Sequence, residues 1–282
     1  MKIIILIAII VLSALFPLVR CFITKFHFTA FYSITDIFKY FRYKKFNNAP
    51  FGELVCYCGL FGQGKTLSAV KRVTSLYERY NDKLVYVDGK FVKQRVYVLS
   101  NVELLSIPYI PLRSIPQVVN FCKELYNKDD EFPIVYVLGD EFSVQMNSRN
   151  FKSNIDPLFL NTLLTCRHYH LSFFLTSQRF GHMDALLRQV TQEVYQVRKL
   201  WRFEMMYVFN GWDLENCSNP NNLKPLRKEC WFIRDKDFNS YDTYAIVDNL
   251  SKAYNEGDMI TEDEIIKLQN ANDVHVTVKK KR

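Results

Sequence analysis

Leu54-Val55-Cys56-Tyr57-Cys58-Gly59-Leu60-Phe61-Gly62-Gln63-Gly64-Lys65-Thr66 is the stretch that decides how this chain is read. Leu54 to Cys58 is a short apolar run bounded by turn residues, the pattern of a buried strand. Gly59 to Thr66 matches G-x-x-x-x-G-K-[ST] in full, and Leu67 to Tyr80 continues as a helix-like stretch. The spacing has a chemical reason. Three glycines let the backbone wrap so that successive N–H groups point at phosphates. A helix that starts at Lys65 adds its positive dipole end. Lys65 is placed to reach the β- and γ-phosphates of ATP, and the Thr66 hydroxyl to ligate Mg²⁺. The candidate nucleotide contacts are therefore Gly59, Leu60, Phe61, Gly62, Gln63, Gly64, Lys65, Thr66 and Leu67.

An acidic partner is expected at the end of another buried strand. Phe132 to Glu141 supplies it, because Ile134 to Leu138 is continuously apolar, as a parallel strand covered on both faces must be. Asp140 is placed to hold Mg²⁺ through water, and Glu141 to polarise the attacking water. That pair favours hydrolysis over phosphoryl transfer to a metabolite. Leu171 to Gln178 is a third buried strand, with Gln178 at its tip to sense the γ-phosphate or hold the water, since strand ends in such sheets gather at one edge. The expected fold is an α/β phosphate-loop NTPase, a mostly parallel sheet flanked by helices. Leu84 to Val87 and Arg95 to Leu99 are further strand candidates, and Val118 to Tyr126 a helix. Glu193 to Val197 and Phe203 to Val208 read as paired strands, with Cys230 to Ile233 as a third.

The composition fits one sizeable globular core and excludes a low-complexity chain: 282 residues, 49% apolar and 23% charged. The net charge of +8 sits at the ends, with +6 in residues 1–50 and +4 in the last four, leaving the middle about −2. A uniformly basic nucleic-acid binder is excluded. Seven scattered cysteines show no paired CxxC spacing, so neither a zinc site nor a disulfide framework is indicated. Cys56 and Cys58 read as small core residues of one strand face.

Ile3 to Val19 is almost purely apolar and spans roughly 25 Å as a helix. With Cys21, Phe22 and Ile23, and Arg20 snorkelling, it reaches the usual length of a membrane span. A cleaved signal peptide is the alternative, but no A-x-A-like site follows. Six basic residues after the run place its C-terminal side in the cytoplasm. The expectation is a single-pass anchor (1–25) in the host inner membrane, a juxtamembrane segment (26–50), a cytoplasmic ATPase domain (51–250) and a charged tail (251–282). Phe26 to Tyr43, dense in aromatics, reads either as a helix on the membrane surface or as one packed on the domain that follows. Thr261 opens a short helix, and Lys279 to Arg282 form either a contact for DNA or anionic lipid or a solvated end.

Thr165-Cys166-Arg167-His168-Tyr169-His170, then Phe173-Phe174-Leu175-Thr176-Ser177-Gln178, then Met183-Asp184-Ala185-Leu186-Leu187-Arg188 resemble the zonula occludens toxin-like family. These are the assembly ATPases of filamentous phages, within the FtsK–HerA superfamily of DNA-pumping motors. The resemblance runs from about Leu54 to about Val247 and includes Tyr241-Asp242-Thr243-Tyr244, similar to an element that closes the domain in relatives. It implies nucleotide roles for Gly59, Gly62, Gly64, Lys65 and Thr66, metal and water roles for Asp140 and Glu141, and a sensor role for Gln178. It implies that Arg167 is presented to a neighbouring subunit's nucleotide in a ring, a hexamer by analogy; Arg188, Arg179 and Arg198 are rivals. His168 and His170 have no third ligand at metal spacing and read as packing or DNA-facing. The family's span follows its ATPase domain, whereas here it precedes it, as in conjugative coupling proteins and packaging ATPases of membrane-containing phages. The functional expectation is a membrane-anchored ring ATPase that moves phage DNA for assembly, extrusion or packaging, with phage coat or envelope proteins as further partners. The alternatives are a conjugation-type coupling ATPase that recruits a nucleoprotein, and a nucleotide-dependent membrane switch with little turnover.

Overall fold

The computed structural model describes residues 16–126, 131–141, 162–163, 165–219 and 222–242. The apolar run before residue 16, Thr243 and Tyr244, the helix expected at Thr261 and the basic end lie outside them. In chain order the first elements are α1 (Pro17–Thr24), α2 (Phe26–Arg42), β1 (Leu54–Cys58), α3 (Lys65–Tyr80), β2 (Leu84–Val87), β3 (Lys90–Ser100) and β4 (Ile110–Pro111). Next come α4 (Ile115–Tyr126), β5 (Glu131–Gly139), β6 (Leu171–Ser177), α5 (Ala185–Val190), β7 (Glu193–Leu200), β8 (Phe203–Asn210), α6 (Gly211–Asn216), β9 (Arg227–Phe232) and α7 (Asp235–Phe238). By contacts the chain divides into two units, Met1–Asn48 with Leu84–Phe91, and Ala49–Lys83 with Val92–Arg282.

In the first unit, α1 opens on Pro17, whose missing N–H has no partner to lose in a first turn. α2 carries Lys39 and Arg42 in its last turn, beside the negative end of its dipole. None of its residues is buried. Phe31, Ile34, Phe38 and Phe41 recur at helical spacing and are all exposed. Among the described residues no helix is long and apolar enough to cross a membrane. The unit is completed by the tip of the hairpin that starts with β2. Asp88 and Gly89 turn it with φ of 47° and 85°, the aspartate-glycine chemistry of a tight turn. Tyr86 stacks on Tyr43 at 4.3 Å, and Asn47 Nδ2 donates to the Leu84 carbonyl at 2.9 Å.

In the second unit the strands follow the order β3-β5-β6-β1-β7-β8-β9, with β4 beside β3. The run from β3 to β7 is parallel, in the registers Val96↔Ile134, Val137↔Phe173, Cys56↔Leu175 and Cys56↔Val194. β8 and β9 then extend the sheet antiparallel, and β7 and β8 are the paired strands expected at 193–197 and 203–208. β1 is buried on both faces. Leu54, Cys56 and Cys58 face a core with Phe121 and Leu125 of α4 and Leu187 of α5. Val55 and Tyr57 face the opposite core with Val70, Val73 and Leu76 of α3. Cys56 Sγ lies 3.4 Å from Cys58 Sγ and 3.0 Å from Met183 Sδ. The neighbouring thiol and burial push the Cys56 thiol up, away from thiolate chemistry. Tyr241 bridges Leu104, and Asp242 N–H donates to the Glu103 carbonyl at 3.1 Å.

The parallel strands all run toward one edge. There β1 passes into Gly59, β3 into Asn101, β5 into Asp140 and β6 into Gln178, while β7 ends at Leu200. Polar residues replace the apolar runs at that edge, which is where an open parallel sheet holds its ligand.

Candidate phosphate-binding site

The loop from Gly59 to Gly64 rises from β1 and ends in α3. A Cβ on Gly59 would lie 2.8 Å from the Val197 carbonyl oxygen. Gly64 has φ 89°, and a Cβ there would lie 2.8 Å from Glu204 Oε1. Both positions need glycine, the first for close approach and the second also for its left-handed backbone. α3 has no side-chain cap and no acid in its first turn, which leaves its first N–H groups for an external acceptor. Leu60 and Phe61 form the exposed tip, and Lys65 Nζ donates to the Leu60 carbonyl at 3.1 Å. Gln63 braces the loop: its Oε1 accepts the Lys199 N–H at 3.1 Å. The Leu67 side chain is buried in the core, so its main chain alone is offered to a ligand.

Asp140 stands across from Thr66. Its Oδ1 accepts from Thr66 Oγ1 at 2.7 Å and from Thr176 Oγ1 at 2.6 Å. Asn101 brackets its main chain, accepting the Asp140 N–H at 2.8 Å and donating to the Asp140 carbonyl at 3.0 Å. Glu141 has φ 46°, a strained conformation for a residue with a Cβ. Its N–H donates to Thr176 Oγ1 at 2.9 Å. One threonine hydroxyl thus fixes both the carboxylate of one acid and the backbone of the next. Gln178 follows β6 at the same edge, half-buried. The Thr66 hydroxyl and the Asp140 carboxylate are hard oxygen donors in contact at the loop's mouth, a set that fits Mg²⁺.

Arg167 lies elsewhere. A Cβ on Gly52 would be 2.9 Å from Arg167 Cβ, and the Gly52 N–H donates to the Leu171 carbonyl. This is the opposite edge of the sheet, separated from Gln178 by seven residues of β6, about 20 Å of strand. Of its rivals, Arg188 is engaged by Glu215 Oε2 and the Met183 carbonyl, each at 2.6 Å. Arg198 lies over the Tyr207 ring at 5.8 Å. Arg179 is exposed directly after Gln178 at the loop's edge. His168 is exposed, while His170 packs on Phe51 and Phe132 with Nδ1 3.2 Å from the Pro133 carbonyl. Burial lowers the His170 pKa.

Three residues at the site were not singled out from the sequence as site residues. Thr176 lies inside the strand that pointed to Gln178, and Asn101 lies two residues after a strand candidate; both carried a positional signal. Glu204 carried none. It alternates with Phe203 and Met205 like an outward-facing residue, yet it is wholly buried behind Gly64.

No family model matches the chain, and no curated protein matches it. Solved structures do. The N-terminal domain of zonular occludens toxin from Neisseria meningitidis is 21% identical, over 68% of this chain and 100% of that one, with a TM-score of 0.44. The genome packaging NTPase from Sulfolobus turreted icosahedral virus 2, in complex with ATP-gammaS, is 12% identical over 55% of this chain and 92% of that one, with a TM-score of 0.38. EssC (ATPases 2 and 3) from Geobacillus thermodenitrificans is 14% identical over 82% of this chain and 46% of that one, with a TM-score of 0.39.

Proposed function

We propose that this chain is a membrane-anchored ATP hydrolase whose turnover moves phage DNA in virion assembly, extrusion or genome packaging. The observation that carries the reading is the 2.7 Å contact between Thr66 and Asp140 at the mouth of a glycine loop, with Glu141 next in sequence. The phosphates of ATP lie on the N–H groups of the loop and of the first turn of α3. Lys65 exchanges the Leu60 carbonyl for β- and γ-phosphate oxygens. Thr66 and Asp140 would hold Mg²⁺, which when bound would offset phosphate charge. Glu141 takes a proton from water aligned with the γ-phosphorus. The water oxygen forms the new P–O bond as the bond to the bridging oxygen of the β-phosphate breaks, releasing ADP and phosphate. Gln178 holds that water or contacts the γ-phosphate, and Thr176 keeps Glu141 in place.

Arg167 has no reach to its own loop, which supports its presentation to a neighbouring copy, in a ring of six by analogy with the family resembled. A trans arginine there would neutralise charge on the transferred phosphoryl group. The exposed apolar stripe of α2 supports a helix at the membrane surface. The basic residues after the N-terminal run support an ATPase domain on the cytoplasmic side of the host inner membrane. Phage coat or envelope proteins are the remaining partners of this reading.

The test is ATP hydrolysis by the detergent-solubilised chain with and without single- or double-stranded DNA, with Lys65→Ala as blank. Stimulation by DNA is expected, and the preferred form separates extrusion of single strands from packaging of duplex. Turnover indifferent to DNA would point to work on coat or envelope proteins instead. ATP binding without turnover would leave a nucleotide-dependent switch.

A further inference from the structure

Behind the phosphate loop, on the side away from Asp140, lies a carboxyl that the reaction above does not use. Glu204 of β8 is 0% exposed. Its Oε1 accepts the hydroxyl of Ser68, in the first turn of α3. Among the described residues, its Oε2 is the buried side-chain oxygen that has no hydrogen-bond partner. The carboxyl lies so close to Gly64 that a Cβ there would sit 2.8 Å from Oε1 and 3.1 Å from Oε2. It therefore touches the loop at the point where the loop becomes the helix.

We infer that Glu204 is a positioning residue of the phosphate loop, which seats the loop for polyphosphate when its carboxyl is neutral and opposes polyphosphate when it is charged. This rests on the reading of the loop as a nucleotide site. The groups around it determine how it behaves. From α3 come Ser68 and Lys71, the latter with its ammonium 3.0 Å from the centre of the Trp231 ring. From β7 comes Lys199, whose own N–H is tied to Gln63 of the loop. From β9, Trp231 is the register partner of Glu204. Beyond Lys71 stand Asp237 and Arg234, and Lys65 opens α3 directly after the loop. Burial pushes the Glu204 carboxyl up to about 7, against the opposing pull of the Ser68 hydroxyl, Lys199 and Lys71. A buried carboxylate with one oxygen unpaired is costly. A polyphosphate arriving on the far side of Gly64 adds negative charge and raises that cost, so binding draws a proton onto Glu204.

The sign follows from linkage. Well below pH 7 Glu204 is neutral and binding takes up no proton through it. Above that pH the free protein holds it charged, binding takes up a proton, and affinity falls as pH rises.

The experiment uses the full chain in detergent and measures the Kd for Mg²⁺–ATPγS from pH 6 to 8.5, with proton uptake read by calorimetry in two buffers of different ionisation heat. Kd in the unaltered chain is expected to rise about tenfold relative to Glu204→Gln, the order of one charge beside a phosphate site at an effective dielectric of about 20. The ligand's own ionisation is common to both proteins and cancels in the ratio. Ser68→Ala, which removes the hydroxyl favouring the charged form, moves the dependence to higher pH. Should Glu204→Gln fail to fold, proton uptake in the unaltered chain near pH 7.5 decides, and its absence overturns the inference. Equal pH dependence in the two proteins also overturns it. Failure to bind at any pH, with Lys65→Ala no different, would instead overturn the nucleotide reading itself.

Discussion

Two acids flank the phosphate loop, and the sheet treats them oppositely. Asp140 ends a parallel strand. Two hydroxyls meet its carboxylate, and an asparagine brackets its main chain on both sides. Glu204 belongs to the antiparallel extension, where among the described residues Ser68 is the donor to it and one oxygen has no partner. Both side chains are nearly or wholly buried, so burial does not separate them. Supply of donors does. Parallel strands ending side by side bring the polar termini of β3, β5 and β6 together around Asp140, whereas β8 carries Glu204 past the back of the loop, where Ser68 donates to it and Lys71 and Lys199 act only through their charge.

The comparison breaks most visibly at the loop between the two acids. Lys65→Ala is expected to lower ATP turnover roughly a thousandfold, about 4 kcal/mol of transition-state stabilisation. Steady-state hydrolysis checks it, and Glu141→Gln should lose turnover while still binding ATP. Full activity in either protein would remove the catalytic side of the contrast.

Gly64→Ala comes next. A methyl group there meets Glu204 and forces a side chain onto φ 89°, so denaturant unfolding should show a loss on the order of 3 kcal/mol. Combining it with Glu204→Ala should recover part of that loss, the steric share, and leave the backbone share.

Glu204 itself predicts a pH effect on stability. Its folded pKa of about 7 stands above the ordinary 4.5, so the folded state keeps a proton that the unfolded chain releases across that window. Stability should therefore fall as pH rises from about 4.5 to 7, on the order of 2–3 kcal/mol relative to Glu204→Gln. Thermal melts of both proteins at matched pH measure the difference, and parallel curves would refute it.

The smallest expected effect sharpens the Asp140 side. Thr176→Val removes a donor to Asp140 and the acceptor for the Glu141 N–H, and should cost about 1–2 kcal/mol of stability. Turnover should fall about tenfold as Glu141 loses its anchor.

Much of this site was open to reading along the chain. The glycine pattern, the apolar run of Ile134 to Leu138 and the strand that ends before Gln178 are local signals, because a strand covered on both faces must be apolar throughout and a phosphate loop needs its glycines close together. Those signals were enough to place Thr66, Asp140 and Gln178 at strand or loop ends. They were silent on the hairpin at Asp88 and Gly89 and on Glu204, since alternation in β8 looks the same whether a polar residue faces water or a covered niche.

What the sequence determined by itself was therefore the inventory: a phosphate loop, two acids after a buried strand and a sheet made mostly of parallel strands. The tertiary structure decided which side chains meet. Thr66 reaches Asp140 across 74 residues, Thr176 across 36, and Ser68 reaches Glu204 across 136. Such contacts depend on strand order and register, which a residue's immediate neighbours do not encode. The same topology placed Arg167 at the far edge, because a parallel strand carries its two ends to opposite sides of the sheet.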